Sequence, residues 1–227
     1  PKSTNLRVTN PSNYLYFYDF GDYQIIGASP ESLVSVKQGQ VTTNPIAGTR
    51  PRGKDEREDK ALAEELLADE KEVAEHRMLV DLGRNDIGKI AQNNSVEVTK
   101  YMEVEYFRYV MHLTSVVRGQ LLPQLTAMDA LKSTLPAGTV SGAPKIRAMK
   151  RIYELEQEKR GVYAGAIGYL SATGDMDFAI AIRTMILKNG RAYVQAGAGI
   201  VYDSIPTNEY QETINKAKSM TKIGEMQ

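Results

Sequence analysis

The spacing of apolar positions changes several times along the chain, and each change marks an element. Residues 14–20 (YLYFYDF) and 23–28 are aromatic and β-branched runs separated by Gly21-Asp22, which predicts a β-hairpin. Residues 32–37 and 40–43 predict a second hairpin turning at Gly39. From Asp55 to about Leu82 the chain is charged and rich in Ala, Leu and Glu. Leu62, Leu66, Val73 and Leu79 recur there at helical spacing, so one long helix is expected, punctuated by Gly83-Arg84-Asn85-Asp86. Val96 and Val98 alternate in a strand-like stretch over 95–104. Residues 127–135 and 144–156 predict helices, the second with Pro144 near its first turn. Strands are expected over 161–170, 176–188 and 191–196, and a last helix over 206–222. This order lacks the regular βα alternation of a doubly wound fold. The prediction is α+β with largely antiparallel sheet, residues 1–227 forming one domain or part of one.

Composition narrows the chemistry. The 28 basic and 28 acidic residues among 227 cancel, so no global field favours nucleic acid or an anionic membrane, while a local Arg or a metal could still bind a small anion. With no Cys, disulfides and thiolate zinc sites are excluded, which fits a reducing, cytoplasmic setting. No apolar stretch approaches the roughly 20 residues that span a bilayer, and no signal peptide is visible. The first residue is Pro1 rather than Met, which suggests a fragment or a processed chain.

Several residues could carry chemistry. Gly48 to Lys54 has P-loop spacing, but Asp55 stands where Mg-nucleotide binding needs Ser or Thr. Gly197 and Gly199 make only half a dinucleotide fingerprint. Glu72 and Glu75 share a face of the long helix; Glu209 and Glu212 repeat that spacing on the last helix, with Lys216 four residues on. Such pairs suit either a hard cation such as Mg²⁺ or a solvated helix surface. Of the two histidines, His76 lies on a charged helix and reads as bland, and His112, in VMHLTSVV, could be a core residue or a general base. Arg183, within FAIAIRTMIL, needs an anion from the protein or a ligand.

Taken together, GASPES (27–32), PIAGTRPRG (45–53), DEKEVAEHR (69–77), PAGTVSGAPK (136–145), AGAGIVYDS (196–204) and EYQETINK (209–216) resemble the chorismate-utilising enzymes in consistent order along nearly the whole chain. This family comprises anthranilate, aminodeoxychorismate, isochorismate and salicylate synthases. The resemblance implies a largely antiparallel β-sandwich with flanking helices, incomplete here because family members are about twice as long. It implies that Glu31 is the general acid for the departing C4 hydroxyl of chorismate. Glu72, Glu75, Glu209 and Glu212 would surround Mg²⁺, with Glu75 and Glu212 as direct ligands. Arg183, Tyr163 and the backbone at Gly197 and Gly199 would hold the enolpyruvyl carboxylate; Gly48, Thr49, Thr139 and Lys216 would line the pocket. His112 would assist the loss of pyruvate.

Two positions favour the anthranilate synthase large subunit within this family. Ala47 stands where aminodeoxychorismate synthases carry a nucleophilic Lys, and the PAGTVSGAPK form matches anthranilate synthases. The resemblance then implies ammonia from a glutamine amidotransferase subunit, component II, and feedback by tryptophan. The segment NPSNYLY (10–16) is similar to the tryptophan-contacting NPSPYMY, placing Asn13, Tyr14 and Leu15 there with Asn13 for Pro and Leu15 for Met. The rival readings are a sister aminodeoxychorismate, isochorismate or salicylate synthase, or a non-catalytic chorismate- or tryptophan-binding module.

Overall fold

The computed structural model describes residues 12–202 and 204–225. The fold is α+β with antiparallel sheets, as the element order predicts. The described residues divide into two compact units, the first comprising those of 12–32, 139–168 and 179–225 and the second 33–138 and 169–178.

In chain order the strands are β1 (Tyr14–Asp19), β2 (Tyr23–Ser29), β3 (Ser32–Lys37), β4 (Gln40–Thr43), β5 (Ile46–Pro51), β6 (Glu97–Tyr106), β7 (Val110–Gln120), β8 (Ala166–Leu170), β9 (Met176–Ile180), β10 (Thr184–Lys188) and β11 (Arg191–Val194). The helices are α1 (Glu56–Ala68), α2 (Glu70–Gly88), α3 (Ala127–Thr134), the single turn α4 (Gly138–Ser141), α5 (Lys145–Leu155) and α6 (Pro206–Glu225).

The first unit is built on the sheet β1-β2-β10-β11. The β1–β2 turn closes at Gly21, φ 79°, whose N–H donates to Asp19 Oδ1 at 2.9 Å. The β10–β11 turn is Asn189-Gly190, both at positive φ, the pairing that a two-residue hairpin loop favours. Ile26, Ala28 and Met185 on the sheet and Met220 on α6 form the buried cluster, flanked by Leu187 and Val194.

In the second unit β7 pairs with β6 along one edge. Its other edge takes β5 against the first half and β4 against the second. Both β5 and β7 are additional to the strands expected from sequence, where Gly48-Thr-Arg-Pro resembles a loop. Ala63 and Leu66 of α1 pack on Met111 and Leu113 of β7. On α2, His76, Leu79, Val80, Gly83 and Ile87 are buried, a row at helical spacing that faces inward.

Three boundaries depart from expectation. The long helix is two, broken at Asp69, whose extended backbone (ψ 103°) ends α1 and caps α2. Residues 161–164 are turn rather than strand, with Gly161 at φ 59° and Ala164 at 65°. The strand expected over 176–188 is interrupted between β9 and β10, where Arg183 adopts φ 49°.

Candidate active site

In the first unit the chain brings Glu31, Thr139, Tyr163, Arg183 and Lys216 into one electrostatic cluster. Glu31 follows β2, and its backbone is pinned by Ile180 N–H, which donates to Glu31 O at 3.0 Å. Burial pushes its carboxyl up to about 7, while a hydrogen bond from Thr139 and the charges of Lys216 and Arg183 pull the other way. An acid so held carries a proton near neutrality and can donate it.

Arg183 lies in a conformation uncommon for a residue with a Cβ. Its Nη1 donates to Lys216 O at 3.2 Å, and Ala28 N–H donates to Arg183 O at 3.0 Å. Burial lowers the guanidinium from its ordinary value, and Tyr163, Glu212 and Glu31 oppose that shift. The anion that an Arg in an apolar stretch requires is thus supplied in part by carboxylates of this unit. Lys216 Nζ pairs with Glu212 at 2.5 Å and donates to Gly197 O at 3.1 Å.

Gly197 has a steric reason to be glycine: a Cβ there would stand 2.7 Å from the Tyr163 hydroxyl. Gly199 faces open space, so nothing in the packing demands it. Glu209, in the first turn of α6, lines a shallow groove with Ala198, Val201 and Tyr210.

Sequence reasoning missed Arg160. It makes a two-pronged pair with Glu156, donates to Val140 O at 2.7 Å beside Thr139, and lies 5.5 Å over the Tyr163 ring. The i,i+4 spacing from Glu156 was the available signal.

The second unit holds a separate group. Gly48 sits at φ 69°, where a side chain is strained, and a Cβ would also crowd Leu66 Cδ1 at 3.0 Å and Glu72 Oε2 at 3.3 Å. Its carbonyl lies 2.9 Å from His112 Nδ1, and Thr49 Oγ1 lies 3.1 Å from the same nitrogen. A carbonyl only accepts, so Nδ1 carries the hydrogen and neutral His112 keeps its lone pair on Nε2, the atom free to take a proton. Phe107 packs edge-on against the ring, centroids 5.4 Å apart.

Glu72 is raised by burial and by the negative charges of Glu75 and Asp69. His76, which reads from the sequence as bland on a charged helix, is fully buried and shares a hydrogen bond with Ser115 Oγ through Nε2 at 2.6 Å. Among the described residues no three His, Cys, Asp or Glu side chains cluster closely enough to hold a metal ion. The donors of each glutamate pair are the hard oxygens that suit Mg²⁺, and the mutual repulsion at Glu72 and Glu75 is what a cation would relieve.

Of the tryptophan-segment residues, Tyr14 opens β1 opposite Ser29, Leu15 is exposed opposite Ala28, and Asn13 lies in the bend before them. Asn10 and Pro11 lie outside the described residues. No helix among the described residues is long and apolar enough to cross a membrane.

Comparison with known proteins places these groups in context. Residues 4–222 match the chorismate binding enzyme family. The anthranilate synthase component 1 of Lactococcus lactis subsp. lactis is 65% identical over 220 residues, 97% of this chain and 48% of that protein. The crystal structure of anthranilate synthase component I from Streptococcus pneumoniae is 84% identical, with TM-score 0.91, over 97% of this chain and 48% of that one. The menaquinone-specific isochorismate synthase of Escherichia coli is 29% identical, with TM-score 0.80, over 89% of this chain and 46% of that one. The chain spans about half the length of these relatives. It belongs to the chorismate binding enzyme family.

Proposed function

We propose that the chain is the C-terminal, chorismate-binding part of an anthranilate synthase large subunit, which converts chorismate and ammonia to anthranilate, pyruvate and water. The observation that carries this reading is Glu31, a carboxyl titrating near 7 among Thr139, Arg183 and Lys216. A proton donor beside two cations is what is needed to expel a hydroxyl from an anionic substrate. Identity of 65% to an anthranilate synthase component 1, and Ala47 in place of a nucleophilic Lys, support anthranilate over its sister products.

In this mechanism Arg183, with Lys216 behind it, binds the enolpyruvyl carboxylate, and Tyr163 and the Gly197 backbone wall that side. Ammonia forms its bond to C2 and sheds a proton, both ring double bonds shift, and the C4 hydroxyl leaves as water with the proton from Glu31. His112 then removes the C2 proton through Nε2. The ring C3–O bond breaks, the enolpyruvate leaves and takes up a proton to become pyruvate, and the ring becomes aromatic. Glu72 and Glu75 on α2, with Glu209 and Glu212 on α6, are the proposed Mg²⁺ residues. Bound Mg²⁺ would supply Lewis-acid neutralisation of the ring carboxylate. Ammonia is proposed to come from a glutamine amidotransferase subunit, and tryptophan to act through the segment holding Asn13, Tyr14 and Leu15.

The test is product analysis of the full-length polypeptide carrying this segment, given chorismate, ammonium and Mg²⁺. Anthranilate fluorescence is expected, abolished by EDTA and restored by excess Mg²⁺. The 227-residue chain alone is expected to show little or no turnover. Isochorismate, salicylate or aminodeoxychorismate as the product would sink the reading, as would chorismate binding without turnover.

A further inference from the structure

Arg183 is a charged residue in a left-handed backbone conformation at the break between two strands, so its neighbours must hold it there. Thr184 Oγ1 donates to Ile182 O at 2.8 Å, so its one hydrogen bridges the two residues that flank Arg183. That oxygen can then only accept from Tyr16, whose hydroxyl lies 2.5 Å away and is therefore the donor. The direction of the relay is fixed: Tyr16 O–H to Thr184 Oγ1, and Thr184 O–H to Ile182 O.

Tyr16 reaches Thr184 from two strands away. It pairs with Gly27 across β1–β2, and Gly27 pairs with Thr184 across β2–β10, so the three residues form one row over the sheet. The Tyr16 ring crosses that row above Gly27, where a Cβ would stand only 2.2 Å from ring carbons. Glycine alone leaves space for the crossing. Burial pushes the Tyr16 hydroxyl up to about 12, so it keeps its hydrogen throughout the neutral range. The relay thus ends on the carbonyl that immediately precedes Arg183, whose own Nη1 donates to Lys216 O.

We propose that Tyr16 is a positioning residue for substrate binding: acting through Thr184 across Gly27, it fixes the backbone that aims Arg183 at the substrate's side-chain carboxylate. This role rests on the reading of Arg183 given above. Without the Tyr16 hydroxyl, Thr184 can turn its oxygen away, and the left-handed peptide loses a tie that holds it.

The test uses the full-length polypeptide and the variants Tyr16→Phe, Thr184→Val, Thr184→Ser and Arg183→Ala. Loss of one such hydrogen bond corresponds to about fivefold. Tyr16→Phe and Thr184→Val are expected to raise KM for chorismate by about that factor with kcat changed less than twofold. Thr184→Ser, which keeps the hydroxyl, should stay near the parent, and the Tyr16→Phe/Thr184→Val double variant should be no worse than either single. A ring-carboxylate analogue lacking the enolpyruvyl group should inhibit parent and Tyr16→Phe equally, a split that general loosening of the sheet does not produce. Arg183→Ala raising KM strongly while Tyr16→Phe and Thr184→Val leave it unchanged would overturn the positioning role alone. An unchanged KM in Arg183→Ala would overturn the assignment of Arg183, and the positioning role with it.

Discussion

Glu31 illustrates how a residue's function and its stability cost arise together. Its ordinary carboxyl value is 4.5 and its folded value about 7, so the folded state prefers the protonated form. The sign follows: as pH rises from about 4.5 through about 7, the unfolded chain releases a proton that the folded chain retains, and stability falls. Activity that needs the proton falls over the upper part of the same range. Glu31→Gln is therefore expected to lower turnover by at least about 10²-fold, yet to leave the melting temperature at pH 8 equal to or above the parent's. Anthranilate fluorescence and thermal unfolding at pH 5 and pH 8 measure both, and a large loss of stability at pH 8 would contradict the account. None of Glu31's environment was legible in its own segment, because Thr139, Arg183 and Lys216 arrive from distant parts of the chain. The helix glutamate pairs and Arg183 were visible as spacing and as a charge in an apolar run. The left-handed turn at Arg183 was hidden, since FAIAI and TMILK on either side both read as strand.

At the scale of elements, Asp69 decides how one charged stretch becomes two helices. Its side chain accepts from the N–H groups of Lys71 and Glu72, both at 3.1 Å, and receives Arg50 Nη2 at 2.8 Å. It thereby satisfies two otherwise orphaned donors at the start of α2 and ties that start to β5. The hydrogen bonds hold its carboxyl below the usual range, so the cap stays charged where a free aspartate already takes up a proton, and its stabilisation is lost only on further acidification. Asp69→Ala is expected to cost about 1–2 kcal/mol, seen as a lower urea midpoint, while Asp69→Asn keeps the cap and costs less. No change in either variant would show that α2 is held by its buried row alone. The helical character of the stretch was legible from its composition, but the break was obscured because Glu and Lys continue on both sides of Asp69. The missed strands have a different cause. β5 contains Gly48 and Pro51, which read as loop, and β7 is unusually long and lies between β6 on one edge and β5 and β4 on the other.

Across the molecule, each unit buries its own core, yet large apolar side chains remain exposed. The case is clearest on α5, which has no buried residue among its eleven. Ile146, Met149 and Tyr153 recur at helical spacing along it, Ile146 70% and Tyr153 88% exposed. A basic set, Lys145, Arg147, Lys150 and Arg151, occupies the same helix, so α5 is amphipathic with its apolar positions in water. Soluble monomers rarely leave such a face open, because the same apolar area is stabilised by any surface that covers it. The 227-residue chain on its own is therefore expected to self-associate as its concentration rises and to bind a hydrophobic dye. The double variant Ile146→Lys/Tyr153→Lys should reduce both effects while leaving the far-ultraviolet circular dichroism unchanged, since neither side chain supports a core. Sedimentation velocity over a hundredfold concentration range distinguishes the outcomes: a parent chain that stays monomeric throughout would show that the exposed face of α5 does not drive association.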